Sequence, residues 1–117
     1  MKNYVFDIDG TICTNTFGKY ENAEPFPKRI NFINKLYAQN KKIIIFTARG
    51  STTKKDWREL TEKQLKKWGL KYHKLVMGKP EGDIFIDDKA IFSEDWFSKE
   101  LGTDIYSENS LKQKNLS

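Results

Sequence analysis

Cysteine, histidine and proline are scarce in this sequence of 117 residues: it has one cysteine (Cys13), one histidine (His73) and three prolines. A single cysteine excludes an internal disulfide and a zinc site built from cysteines, and a single histidine cannot form a metal cluster. Packing roles are therefore expected for Cys13 and His73. The chemistry of the chain must come from carboxylates, hydroxyls and amines.

Long apolar runs are also missing. No segment approaches the roughly 20 apolar residues of a membrane helix, and the N-terminus "MKNYVFDIDG" lacks the apolar stretch of a signal peptide. We therefore expect a cytoplasmic protein without a membrane partner. The length predicts one domain, residues 1–106, followed by a polar tail, residues 107–117.

Charge is unevenly distributed. Residues 28–79 carry 15 lysines and arginines against three acids, whereas residues 81–108 carry two lysines against nine acids. This division suits an anionic ligand beside a cation-binding centre. Most of these lysines are nevertheless expected to solvate surfaces, and no nucleic-acid motif accompanies them, so nucleic acid is not an expected partner.

Apolar patterning predicts alternating strands and helices, which is typical of a parallel sheet with helices on both faces. The fold class is therefore α/β, a Rossmann-like three-layer α/β/α domain. The predicted strands are residues 3–8, 42–46, 73–77 and 83–87, and the predicted helices begin near residues 27, 54 and 93.

Polar residues follow each predicted strand. Asp7 and Asp9 lie at the end of the first strand, and Thr47 comes directly after the second. Lys79 follows the third strand, and the pair Asp87-Asp88 lies at the end of the fourth. Ligands of such sheets lie beyond the carboxyl ends of the strands. Four acids, a hydroxyl and an ammonium group are thus predicted to meet in one crevice.

Converging carboxylates without zinc-type ligands favour a hard cation, with Mg²⁺ the first choice. Asp7, kept ionised by the cation and Lys79, would attack phosphorus and form an aspartyl-phosphate. Asp9 would protonate the leaving oxygen and later deprotonate water. Thr47 and nearby backbone N–H groups, such as that of Ala48, would hold the phosphoryl oxygens, while Lys79 offsets negative charge.

Four segments resemble the motifs of the haloacid dehalogenase (HAD) superfamily: "DIDGT" at 7–11, "FTAR" at 46–49, "GKP" at 78–80 and "IFIDD" at 84–88. The resemblance implies an HAD-like fold. It implies that Asp7 is nucleophile and metal ligand, and that Asp9 is the acid/base and a Mg²⁺ ligand through its carbonyl. Thr47 and Lys79 would bind phosphate. Asp87 would complete the metal site, and Asp88 would lie beside it or hold a metal-bound water.

The acidic pair of the last motif can be read in two ways. A G-D-x-x-x-D reading pairs Asp83 with Asp87, but Asp83 precedes the apolar residues, so the acids at the carboxyl end of the strand are Asp87 and Asp88. We favour the latter pair.

Spacing between the motifs leaves no room for a cap domain. A flap of about residues 13–24 remains, and uncapped members of the superfamily often take a lid from a neighbouring subunit, so a homo-oligomer is an expected partner. Phe17, Tyr20 and Glu21 are candidate substrate contacts in the flap. Arg49 has two readings, as a substrate contact or as a residue that orients a carboxylate.

The run from Thr47 to Pro80 most resembles small phosphatases of bacterial capsular polysaccharide clusters. The resemblance implies a phosphorylated sugar, polyol or small alcohol as substrate. Two alternatives stay open, a phosphatase for polynucleotide ends and a non-catalytic module that binds a phosphate ligand. A phosphomutase fits less well because its intermediate needs a cap to exclude water.

Overall fold

The computed structural model describes residues 2–53 and 55–102. Within these residues the sheet has three parallel strands in the order β1-β2-β3: β1 is Asn3–Phe6, β2 is Lys42–Thr47 and β3 is Lys74–Met77. Because the strands are parallel, their carboxyl ends meet at one edge of the sheet. This edge carries the loops that begin at Asp7, Ala48 and Gly78.

The described residues also form three α-helices: α1 is Pro27–Ala38, α2 is Arg58–Lys67 and α3 is Ser93–Leu101. Pro27 occupies the first turn of α1, where its missing N–H costs nothing. Gly69 follows α2 with a φ of +75°, a conformation that glycine adopts without strain. The alternation of parallel strands and helices confirms the predicted Rossmann-like α/β class.

All three helices contribute to one core against the sheet. Ile43 and Ile45 of β2 are fully buried, and Ile33 of α1, Leu65 of α2 and Phe97 of α3 join the same cluster. Burying each of these side chains contributes about 1.5–3 kcal/mol before the entropic costs. The described residues contain no helix that is both long and apolar enough to cross a membrane.

The predicted fourth strand, residues 83–87, is wrong: no strand occurs between β3 and α3. Ile84 and Ile86 are 79% and 95% exposed. A strand forms only where its backbone groups find a partner. Here the Asp87 carboxylate accepts a hydrogen bond from the Lys89 backbone N–H, and the Phe85 ring lies under the Lys79 ammonium instead. The predicted tail, residues 107–117, lies outside the described residues.

Candidate active site

The loop after β1 presents Asp7 and Asp9 on either side of Ile8. The Ile8 side chain is fully buried, and its carbonyl accepts hydrogen bonds from the N–H groups of Thr11 and Ile12. Gly10 follows with a φ of +82°, which a side chain would strain. Ile8 therefore anchors a tight turn that sets both acids at the carboxyl end of β1.

Asp9 is held by Arg49. Arg49 Nε donates to Asp9 Oδ2 and Arg49 Nη2 to Asp9 Oδ1, both at 2.9 Å. The Cys13 thiol lies 3.6 Å from Oδ1. Such a two-point pair fixes the plane of a carboxylate as well as attracting its charge. Of the two readings of Arg49, the structure supports the one in which it orients a carboxylate.

Arg49 is itself fixed by α2 and by the flap. Its Nη1 donates to Thr61 Oγ1 at 3.1 Å and to Gln64 Oε1 at 2.6 Å. Its guanidinium lies 4.6 Å from the centre of the Tyr20 ring. Burial disfavours the charged guanidinium, but the hydrogen bonds and charge of Asp9 outweigh that effect and raise the pKa of Arg49. Arg49 therefore stays a cation.

Asp7 has a different environment. Lys79 Nζ lies 3.9 Å from Asp7 Oδ1, and the Asp7 side chain keeps 36% of its surface exposed. Burial of the rest raises the pKa of the Asp7 carboxyl above its ordinary value, and the charge of Lys79 opposes that rise. Asp7 is thus the acid of the pair that a ligand can reach.

The ends of β2 and β3 are joined beside Asp7. The Lys79 N–H donates to the Thr47 carbonyl at 3.0 Å, and the Ser51 hydroxyl donates to the Lys79 carbonyl at 2.6 Å. The side chain of Thr47 is fully buried, and its Oγ1 accepts the N–H of Arg49 at 3.2 Å. Thr47 and Lys79 therefore neighbour each other as predicted, with Ala48 next along the chain.

An open cavity of about 440 Å³ adjoins this edge of the sheet. Its walls include Arg49, Ser51, Lys55, Trp57 and Gly78. The Lys55 ammonium lies 4.3 Å from the centre of the Trp57 ring. The volume lies within the usual range of small-ligand sites.

The structure does not bring Asp87 to the other acids. Asp87 and Asp88 lie in the exposed segment between β3 and α3, and the N–H of Lys89 lowers the pKa of Asp87. In residues 2–53 and 55–102, no three His, Cys, Asp or Glu side chains gather as a metal-binding group. The missing fourth strand is the physical reason, since that strand was to carry Asp87 to the edge of the sheet.

The carboxylate of Asp7 still suits a magnesium ion that takes few ligands from the protein. Mg²⁺ prefers oxygen ligands, is commonly held by one or two carboxylates together with substrate phosphate, and keeps several waters. The exposed side of Asp7 offers such a carboxylate. Both Asp9 carboxylate oxygens accept hydrogen bonds from Arg49, so the carboxylate of Asp7 is the one that a cation could approach.

The flap residues fall into two groups. Tyr20 begins a short 3-10 turn, Tyr20–Asn22, and its ring packs edge-on against Trp57 at 4.9 Å as well as over Arg49. Phe17 is 81% exposed, and Glu21 is exposed too. The structure thus brings Tyr20 into the site and leaves Phe17 and Glu21 at the surface.

Sequence reasoning missed the polar side of α2. Thr61 and Gln64 are buried in the face that also carries Leu65, and both bind Arg49. The signal was their spacing: residues 57, 61, 64, 65 and 68 recur at helical intervals, so two polar residues interrupt an otherwise apolar stripe. A polar residue at such a position must find a buried partner.

Comparisons with known proteins support the fold. No protein-family model and no curated protein matches the chain. Among solved structures, a structural-genomics target from Vibrio cholerae is similar, with a TM-score of 0.74 and 23% identity over 99% of this chain and 96% of the other. At this identity the likeness establishes the fold and leaves the activity open.

Two further solved structures are similar in fold. A D,D-heptose 1.7-bisphosphate phosphatase from B. bronchiseptica, crystallised with magnesium and phosphate, has a TM-score of 0.52 and 16% identity over 89% of this chain and 65% of its own. A structure of a Pnkp1/Rnl/Hen1 complex has a TM-score of 0.56 and 22% identity over 86% of this chain and 34% of its own. The chain thus shares an α/β fold with these three structures.

Proposed function

We propose that this chain is a phosphomonoesterase that hydrolyses a phosphorylated small metabolite through an aspartyl-phosphate on Asp7. The observation that carries the proposal is the unequal environment of two neighbouring acids. Asp7 is accessible and faces the Lys79 ammonium, whereas Asp9 is held at two points by Arg49. Paired carboxyl groups in different environments are typical of sites that divide nucleophilic and proton-transfer work.

The proposed reaction has two steps. A carboxylate oxygen of Asp7 forms a bond to phosphorus while the bond from phosphorus to the substrate alcohol breaks. Asp9, which enters this step in its protonated form rather than as the charged partner of Arg49, gives its proton to the departing oxygen. Water then attacks the phosphorus of the aspartyl-phosphate and loses a proton to Asp9, which frees Asp7 and inorganic phosphate. Lys79 offsets the negative charge that develops beside Asp7.

Phosphate binding and the cofactor complete the proposal. The N–H of Ala48 would hold a phosphoryl oxygen at the end of β2, and the buried hydroxyl of Thr47 would join it only after a local movement. Asp7 would hold Mg²⁺, with the carbonyl of Asp9 beside it, and Asp87 and Asp88 would join this site only if their segment moved. When bound, the ion supplies positive charge that polarises the phosphoryl group. The likeness to a phosphatase crystallised with magnesium and phosphate supports this assignment.

The cavity beside Arg49 would accept the alcohol part of the substrate. A volume of about 440 Å³ suits a sugar, polyol or amino-alcohol phosphate. The resemblance of the run from Thr47 to Pro80 favours a place in capsular or surface polysaccharide biosynthesis. Because the cavity is open, a second copy of the chain would supply a lid.

A second candidate is a phosphatase for polynucleotide ends. The open cavity, its Trp57 and Lys55 walls, and the likeness of fold to a Pnkp1/Rnl/Hen1 structure favour it. An aromatic ring and an ammonium group are suited to a base and a backbone phosphate. In that case single-stranded DNA at low salt would compete with a small phosphate ester.

One screen tests both candidates. Phosphate release is measured over phosphorylated sugars, polyols, amino alcohols, nucleotides and a 3′-phosphorylated oligonucleotide, each with Mg²⁺ and with EDTA. Cation-dependent turnover of a small ester, lost in Asp7→Asn, supports the proposal. Turnover of the oligonucleotide alone favours the second candidate, and the absence of all turnover overturns both and favours a binding module.

A further inference from the structure

Arg49 is a buried cation whose three nitrogens all donate hydrogen bonds. Nε and Nη2 bind Asp9, which follows β1, while Nη1 binds Thr61 and Gln64 of α2. Its side chain has no exposed surface. A guanidinium held from opposite sides by separate elements cannot turn without leaving a buried donor unpaired, which is costly. Its position is therefore determined by the fold.

The same guanidinium is connected to the flap. Gln64 Nε2 donates to the carbonyl of Tyr20 at 2.7 Å, and the Tyr20 ring covers the guanidinium at 4.6 Å. Gln64 thus uses its oxygen for Arg49 and its nitrogen for the flap. A displacement of the 3-10 turn would remove two of the contacts around Arg49.

We propose that Arg49 is a positioning residue for Asp9, and that the flap influences the reaction through the contacts of Tyr20 and Gln64 with it. The inference rests on the proposed function. A carboxyl group that accepts two parallel N–H bonds has a fixed plane, so Asp9 presents its proton from a constant direction. The charge that forms on Asp9 as the proton leaves meets a guanidinium that is already in place.

Leaving-group dependence tests this inference. Phenyl phosphate needs a proton on its departing oxygen, whereas 2,4-dinitrophenyl phosphate releases a stable anion and does not. Arg49→Met is expected to lower kcat/KM about 100-fold with phenyl phosphate, the usual scale of acid catalysis, and only a few-fold with the dinitrophenyl ester. Arg49→Lys keeps the charge without the two-point contact and should recover part of the loss with phenyl phosphate.

Gln64→Leu tests the flap. It keeps Arg49 and Asp9 but removes both the link to Tyr20 and the hydrogen bond that Gln64 accepts from Arg49. We expect roughly tenfold loss with phenyl phosphate and little with the dinitrophenyl ester. Arg29→Met is the matched control, since it also removes a buried guanidinium that pairs with a carboxylate. It should change kcat/KM for both esters by the same factor. Equal losses on the two esters in the Arg49 variants would overturn the positioning role, and equal losses in Gln64→Leu would overturn the role of the flap.

A measurement without turnover separates this inference from the proposed function. If Arg49 fixes Asp9, the melting temperature of the double variant Asp9→Asn/Arg49→Met is lowered by less than the sum of the two single shifts, because each single change already removes the ion pair. Additive shifts overturn the inference. If the wild type releases no phosphate from any ester, the proposed function fails, and this cycle still decides whether Arg49 holds Asp9.

Discussion

Two arginines are almost fully buried in this chain, Arg29 at 2% exposure and Arg49 at 3%. Each pairs with a carboxylate and lies against aromatic rings. Arg29 Nη2 binds Glu94 at 3.0 Å, and its guanidinium faces the rings of Phe26 and Phe97 at 5.1 and 4.7 Å. Arg49 binds Asp9 and faces one ring, that of Tyr20.

The difference between the two lies in what each pair connects. Arg29 belongs to α1 and Glu94 to α3, so this pair joins two helices, and Arg29 Nη1 also donates to the carbonyl of Thr11. Arg49 follows β2 and Asp9 follows β1, so that pair lies at the edge where ligands of parallel sheets bind. The same interaction therefore supports the fold in one region and a candidate site in the other.

The largest expected effect concerns the candidate site at the edge of the sheet, where Arg49 and Asp7 lie. Asp7→Asn should lower phosphate release by roughly 10⁴-fold or more, because it removes the nucleophile. It should not lower stability, since burial already disfavours the charge of Asp7. Phosphate release and urea unfolding of the same preparation measure the two effects. Activity close to that of the wild type would remove Asp7 from the mechanism.

The next effect comes from the region of Arg29. Arg29→Met removes a buried guanidinium from a carboxylate that keeps 18% of its side-chain surface exposed, so the cost is about 1–3 kcal/mol, below the roughly 3–5 kcal/mol of a fully buried pair. The free energy of unfolding, measured in urea by circular dichroism, should fall by about that amount. A loss below about 1 kcal/mol would show that Arg29 does not support the fold, and the contrast with Arg49 would disappear.

Local patterns predicted the elements that carry the two arginines, but not the contrast between them. The sequence predicted the acids that follow β1 and the buried strand β2. Runs of apolar residues indicate burial, and turn residues indicate where a strand ends. Thr47 ends β2 and Lys79 lies just beyond the neighbouring parallel strand β3, which sufficed to place them together. The sequence also predicted α3, although not its pairing with Arg29.

Two features could not be read from the sequence. The choice of Arg49 between substrate and carboxylate depends on Thr61 and Gln64, which approach from another element and decide where the side chain points. Residues 84–86 are as apolar as a strand, yet they remain exposed. Apolar residues indicate that a segment can form a strand, but they do not show whether a neighbouring strand is free to pair with it.

Magnesium binding offers a smaller effect that also separates the two regions. If Asp7 holds Mg²⁺, the ion stabilises the folded wild type by up to about 2.7 kcal/mol at a hundredfold excess over its Kd. The melting temperature should therefore rise with Mg²⁺ in the wild type and in Glu94→Gln but not in Asp7→Asn. EDTA should reverse the rise and stop phosphate release. An equal rise in all three proteins would indicate nonspecific binding.

Cys13 provides the smallest signal and reports on both regions. Burial raises the pKa of its thiol, so the folded protein holds almost no thiolate near neutral pH, and iodoacetamide should not label it. Labelling then requires opening, which restores the ordinary pKa, and it should become faster as the pH rises. Arg29→Met lowers global stability and should speed labelling, whereas Asp7→Asn should not, although Asp7 lies nearer in the chain. Rapid labelling of the folded wild type, at the rate found in urea, would mean that Cys13 is not buried. Equal acceleration in both variants would mean that the regions around Arg29 and Arg49 open together. The two regions would then differ in their chemistry but not in their stability.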